Sequence, residues 1–278
     1  MNKTFRHISS AVLGIVVFLF WWLFYPYALS FQEQNQLFLF TWDYFSERIS
    51  LSGGLADYIA EFITQFSYIP YLGEALLAVV FVIFQKAIAL SIDRDEWYVL
   101  SFVAPVMMLV YMSDIYVMLS YLVALIAAVL LCALYRRHPG IIGAGIATVL
   151  GYWLIGPAIF VFTLFAVIRE RNSKSLILIA LSVIVVVASR LTYLQQYPWK
   201  TVIFGINYYR LPITVPAMQL IIAGVTALIP AFSDLLPKPR RILDISLGLL
   251  ILAGGTVGCW LNYEKDVVEL IAYDQMVR

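Results

Sequence analysis

The sequence predicts an all-α polytopic membrane protein with about nine membrane-spanning helices. Three observations carry that expectation. Hydrophobic residues make up 63% of the 278 residues and charged residues only 13%, whereas a soluble domain carries about 25% charge. Mean hydropathy is +0.89. The apolar residues also fall in long unbroken runs, and a bilayer core about 30 Å thick needs about 20 apolar helical residues whose backbone groups bond internally.

Taken in order, the first run covers 10–29 and follows Lys3, Arg6 and His7. It opens like a signal peptide but continues through Trp21, Trp22, Phe24 and Tyr25 without a small-residue cleavage site, so it reads as an uncleaved span. Further spans are expected at 72–90, 97–112, 115–135, 140–154, 157–169, 175–190, 214–231 and 242–262. Residues 140–169 form one apolar stretch with basic clusters at both ends. A hairpin turning at Gly156-Pro157 puts both clusters on the same side, so two short arms are expected in place of one long helix. Within it Gly143, Ala147 and Gly151 recur every four residues, a spacing that lets helices approach closely in lipid.

Orientation follows from the basic residues. With the N-terminus in the cytoplasm, Lys3, Arg6, Lys86, Arg94, Arg136, Arg137, Arg169, Arg171, Lys174, Lys238, Arg240 and Arg241 lie inside. That is about twice the number outside, which the positive-inside rule favours. Residues 1–262 therefore read as one membrane domain, with exterior segments at 30–71 and 190–213. Residues 263–278 read as the start of an exterior C-terminal region that continues past the given sequence.

Composition also excludes classes. The formal charge of +1 (18 Lys and Arg, 17 Asp and Glu) gives no basic excess for nucleic acid. Cys132 and Cys259 both lie in apolar runs, which excludes a disulfide framework and a cysteine zinc site, and two histidines exclude a histidine-rich metal centre. No ionisable residue falls at mid-membrane depth in any span, so a proton-coupled transporter lacks its usual relay.

The exterior segments hold the candidate functional residues. In 30–71, Leu55, Ile59, Phe62, Ile63 and Phe66 repeat at helical spacing with Asp57 and Glu61 on another face, the pattern of an interfacial helix lying on the membrane. Residues 31–48 also read as helical, and the segment forms an acidic platform containing Glu33, Asp43, Glu47, Asp57 and Glu61. Asp114 stands in the turn before the fourth span, where a carboxylate suits a helix N-terminus. Asp43 is a further candidate base, in a setting that equally suits an interfacial turn. The 190–213 segment interleaves Arg190, Lys200 and Arg210 with Tyr193, Tyr197, Trp199, Tyr208 and Tyr209. That composition suits either an interfacial aromatic belt or a cationic pocket for a phosphate-bearing lipid.

Over residues 8–190 the order of parts resembles the membrane module of the C-superfamily glycosyltransferases. The shared parts are one N-terminal span, a long exterior loop with an acid soon after it (Glu33), a return helix starting with an acid (Asp114-Ile-Tyr-Val-Met-Leu), and a hairpin turning at Tyr152-Trp-Leu-Ile-Gly-Pro-Ala-Ile-Phe160. The chain also resembles, more closely, an uncharacterised family of bacterial inner-membrane proteins that open with Tyr-Pro-x-Ala-Leu-Ser and Gln-Glu-Gln, here Tyr25–Ser30 and Gln32–Gln34. That second resemblance implies the bacterial inner membrane and a soluble periplasmic C-terminal part, and it points to no particular activity. The glycosyltransferase resemblance implies Glu33 as base or metal ligand, Asp114 as a second acid, and Arg190, Lys200 or Arg210 on the phosphate of a polyprenyl-linked sugar. It also implies a divalent metal ion. Two departures stand against it: Glu33 lies between glutamines instead of in an acidic pair, and Ile155 replaces the basic residue before the Gly-Pro turn. Two functions therefore stand side by side. One is transfer from a polyprenyl-phosphate carrier at the outer leaflet; the other is a non-catalytic platform in envelope assembly that contacts an envelope protein through its C-terminal region.

Overall fold

The computed structural model describes residues 3–25, 28–34, 36–114, 116–170, 175–205, 217–239 and 241–277. Every regular element among them is helical: α1 (Lys3–Phe24), α2 (Ala28–Gln34), α3 (Trp42–Ile49), α4 (Gly54–Thr64), α5 (Leu72–Ile92), α6 (Val103–Met112), α7 (Leu119–Arg137), α8 (Ile141–Ile155), α9 (Ile159–Glu170), α10 (Ser175–Leu191), α11 (Trp199–Phe204), α12 (Ala217–Phe232) and α13 (Arg241–Val277). Short 3-10 turns lie at Gln65–Tyr68, Asp95–Phe102, Gly156–Ala158 and Ser233–Leu235.

Among the described residues, 7 stretches are long and apolar enough to cross a membrane, against the nine expected. The difference lies in two places. Ile141–Glu170 is a single stretch by composition, and Ser175–Leu191 is shorter than a full crossing segment at 17 residues. Geometry resolves the first. Gly156 takes φ 67 and breaks the helix ahead of Pro157. The Thr148 and Thr163 hydroxyls then lie 3.2 Å apart, although 15 residues of continuous helix would separate them by about 22 Å. The stretch is a hairpin. Its arms span about 22 and 18 Å, too short for either to cross a 30 Å core unaided.

Three expected boundaries shift. The third crossing segment opens with the 3-10 turn Asp95–Phe102 before α6. The fourth starts at Leu119, not 115, with Met118 as its cap residue and no side-chain cap. The ninth does not stop at 262, because α13 runs on to Val277. Residues 259–277 contain neither Gly nor Pro, so nothing in the backbone chemistry ends the helix where the membrane-like composition ends.

The core forms where α5 packs between α1 and α7, and α9 between α7 and α12. Trp21, Phe81, Phe84, Ile88, Met108, Leu122, Phe162 and Phe165 fill it, each with almost no accessible surface. Polar side chains bond across helices within it. Ser10 donates to Gln85 Oε1 at 2.8 Å, and Gln85 Nε2 donates to Ser101 at 2.6 Å. Such bonds between spans contribute about 0.6 kcal/mol each on average. Of the predicted small-residue triple only Gly151 is used for close packing. A side chain there would collide with Ile159, whereas Gly143 faces open space, and the buried stripe is Ala144, Thr148, Gly151, Tyr152 and Ile155. α13 lies at the edge, where Gly255 and Gly258 leave room for Val106 and Val110 of α6.

The bundle has two chemically distinct ends. At one, Arg6 pairs with Asp95, and Arg94 donates to the Ser233 and Leu236 carbonyls at 2.7 and 2.8 Å. Arg136 and Arg169 share Asp234 at 2.9 and 2.6 Å, and Lys238 pairs with Glu96 at 3.2 Å. This basic end gathers Arg6, Arg94, Arg136, Arg169 and Lys238, basic residues expected on one side; Arg171, Lys174 and Arg240 lie outside the described residues. The opposite end carries α2, α3 and α4, the 113–118 turn, the tip of the α8–α9 hairpin and α11.

Candidate functional site at the platform end

The segment between the first two spans is a folded platform, as the helical spacing suggests, but the acid-bearing side of α4 is turned inward instead of toward water. The interfacial reading put Ile59 and Phe62 against the membrane and Asp57 and Glu61 toward water. In the structure Ala56, Ala60, Glu61 and Thr64 are buried and α4 packs along α7, while Ile59 and Phe62 are 40% and 41% exposed. The physical reason is the small residues at 56, 60 and 64, which let two backbones approach. The larger apolar side chains are left to face outward, which costs nothing where the surroundings are lipid.

This rotation brings an acid–base cluster inside. Arg48 of α3 donates through Nε to Glu61 Oε2 at 2.9 Å and through Nη2 to the Tyr44 oxygen at 2.8 Å. The Tyr44 hydroxyl lies 2.6 Å from Glu61 Oε2. Burial, together with the Glu61 carboxylate beside it, pushes the Tyr44 hydroxyl well above its ordinary range. One turn before Glu61, Asp57 keeps part of its surface accessible while its carboxyl is crowded by neighbours. Burial pushes that carboxyl up to about 7, with Glu61 adding to the rise and with the Ser120 hydroxyl and Arg48 opposing it.

The platform rests on the hairpin tip. Gly53 donates its N–H to the Trp153 carbonyl at 2.8 Å, Ser52 donates to the Tyr152 carbonyl at 2.6 Å, and Trp153 Nε1 donates to the Ile49 carbonyl at 2.8 Å. Gly53 at φ 87 and Gly156 at φ 67 meet backbone to backbone, with only 3.3 Å between a side-chain carbon built on Gly156 and Gly53 Cα. On the other flank of the tip, Tyr152 donates to the Val202 carbonyl at 2.7 Å. A side chain on Gly205 would come within 2.7 Å of the Pro157 ring.

The sequence-predicted residues are distributed around this frame. Glu33 sits half-buried on α2. α2 docks on the Asp114 turn, because Gln32 Nε2 donates to the Val117 carbonyl at 3.0 Å and the Phe31 and Tyr116 rings lie 6.0 Å apart. Asp114 does not cap a helix: its Oδ1 accepts the Tyr116 N–H at 3.0 Å and closes a local turn that precedes α7. Asp43 is exposed in the first turn of α3, a position favourable to the helix dipole. Arg190 stacks over Trp199 at 5.6 Å. Lys200 is exposed, and Arg210 lies outside the described residues.

A groove of about 490 Å³ opens between α8 and α10 near the platform, lined by Tyr152, Trp153, Val185, Ser189 and Tyr193 among others. Arg190 is not among its lining residues. Among the described residues no group of three or more His, Cys, Asp or Glu is placed to hold a metal ion, so the described acids do not fit the divalent ion that the glycosyltransferase resemblance implies. Sequence reasoning noted Asp57 and Glu61 but missed their placement, and the signal for it was the Ala56, Ala60, Thr64 spacing directly beside them.

No curated protein matches this chain. No solved structure matches it either. A family model described as a family of unknown function, DUF6057, matches residues 2–278, so the chain, whose long apolar helices are those of a multi-pass membrane protein, belongs to that family.

Proposed function

We propose that the protein transfers a sugar, or another group, from a polyprenyl-phosphate carrier at the platform end of the bundle. The observation that supports this reading is the docking of α2 on the 114–117 turn, which sets the segments carrying Glu33 and Asp114 side by side at one end. In this reading one carboxylate accepts the proton of an acceptor hydroxyl while basic residues of the 190–213 segment offset the charge that develops on the leaving phosphate. The test is transfer from a polyprenyl-phosphate-linked sugar in proteoliposomes. The wild type is expected to turn over, and the Glu33→Gln, Asp114→Asn double variant to lose about 100-fold or more. A correctly folded double variant with undiminished transfer overturns the assignment.

A second reading, a non-catalytic membrane platform, is favoured by α13. Asn262 donates to the Val110 carbonyl and to Ser113, both at 2.7 Å, which fixes its level at the platform end. The helix continues to Val277, about 22 Å further. Such a projection suits a contact with another envelope component. Removal of the residues after Tyr263 would abolish function under this reading, while the double carboxylate variant would retain it.

A further inference from the structure

The α4–α7 seam contains a charge imbalance. Asp57 and Glu61 stand four residues apart on one face of α4, and α4 presses against the start of α7, where Ser120 meets Asp57. Arg48 supplies one positive charge for two carboxylates, and its Nε is engaged by Glu61 at 2.9 Å. Among the described residues the other elements against α4 bring no second cation to this end, since Lys86 of α5 and Arg136 and Arg137 of α7 lie toward the basic end. α3 adds the exposed acids Asp43 and Glu47 and the Tyr44 hydroxyl, and α2 adds Glu33. α5 adds Glu74, α7 follows Asp114, and the 3-10 turn after α4 adds Tyr68, which is exposed. From α8 comes Tyr152, whose hydroxyl is engaged by the Val202 carbonyl. Two ionised carboxylates on adjacent turns beside one guanidinium leave an uncompensated charge at a packed helix contact, which is costly.

We propose that the Asp57–Glu61 pair holds one exchangeable proton, carried on Asp57, and that this proton latches the platform helix α4 to α7. The carboxyl's elevated proton affinity, near neutrality, agrees with the charge count. Loss of the proton as pH rises leaves two carboxylates facing α7 and loosens the seam. Ser120 favours the ionised form by donating to it, so it sets where the latch opens. The latch does not involve Glu33 or Asp114, so its failure and that of the transfer reading are observed separately.

The test is an infrared titration of the full chain in nanodiscs, followed at the protonated-carboxyl absorption, with amide exchange of α4 measured over the same pH range. The wild type is expected to lose a protonated-carboxyl band around neutral pH, and α4 amides, corrected for intrinsic rates, to exchange about tenfold faster or more above that point. Asp57→Asn is expected to lack the band and the change in exchange. Ser120→Ala is expected to move the titration to higher pH, and it carries the test should Asp57→Asn misfold. Absence of a titrating band, its persistence in Asp57→Asn, or an unmoved midpoint in Ser120→Ala overturns the proposal.

Discussion

A carboxyl that holds its proton near neutral pH makes stability depend on pH in a definite sense, and Asp57 is such a group. Its folded-state proton affinity is raised from 3.8 to about 7, so the stabilisation is fully present below about pH 4 and is lost as pH rises through the folded value. The stability of the wild type in detergent is therefore expected to fall between about pH 4 and about pH 7. Asp57→Asn, with no proton to lose, is expected to be flat in this respect and more stable than wild type at the upper end by about 2 kcal/mol, allowing for the accessible part of the side chain. Unfolding midpoints across that range check it, and a wild type whose pH profile matches that of the variant contradicts it. The reverse substitution logic applies to Arg48. Arg48→Gln removes the cation paired with Glu61 and strands a buried carboxylate, so it is expected to destabilise by about 3 kcal/mol or more at neutral pH, read from the same unfolding midpoints.

Elements differ in how much of them the sequence shows. The α8–α9 hairpin is legible because a helix cannot pass Gly156-Pro157 without losing a hydrogen bond and clashing, and the flanking basic clusters ask for a return to the same side. α4 is legible as a helix but not in its orientation. Its large apolar residues suit a helix lying on the membrane and do face outward, but periodicity does not show that the small residues Ala56, Ala60 and Thr64 pack inward and take the acids beside them into the contact. Because that inward turn leaves no mark on the apolar spacing, Asp57 and Glu61 read from sequence only as acids of the platform, behind Glu33, Asp114 and Asp43 as candidates. The hydrogen-bond partners of the cluster, Tyr44 and Arg48, drawn from a different helix, likewise leave no trace in periodicity. The contact between platform and hairpin gives this scale its prediction. Gly156 combines a positive φ with a backbone neighbour 3.3 Å from where its Cβ would lie. Gly156→Val is expected to cost about 2–4 kcal/mol through strain and displacement of Gly53. Proteolysis in the 49–54 segment is expected to increase, while Gly143→Val, which meets open space, is expected to leave cleavage unchanged.

At the scale of the whole molecule, the path of the chain between the basic end and the platform sets which end is which. The hairpin leaves the basic end at Ile141, reaches the platform at Gly156 and returns by Arg169, and α10 then runs from there to the platform end, where Arg190 stacks over Trp199. α1 begins at the basic end, where Arg6 meets Asp95, and α13 reaches the platform, where Asn262 meets Ser113. The two therefore present their outer ends on opposite sides. The basic end is expected to face the cytoplasm, because the bias of Lys and Arg acts on the chain as it inserts, before Arg136 and Arg169 are neutralised by sharing Asp234. Single cysteines at two exposed positions test this in a background lacking Cys132 and Cys259: Tyr68→Cys on the platform and His138→Cys at the basic end. A membrane-impermeant maleimide applied to intact cells is expected to label Tyr68→Cys and to spare His138→Cys, with inverted vesicles giving the opposite pattern. Labelling reversed in both preparations would place the platform in the cytoplasm and remove the outer-leaflet carrier from the proposed reaction. Labelling of both positions from one side would contradict the two-ended arrangement itself.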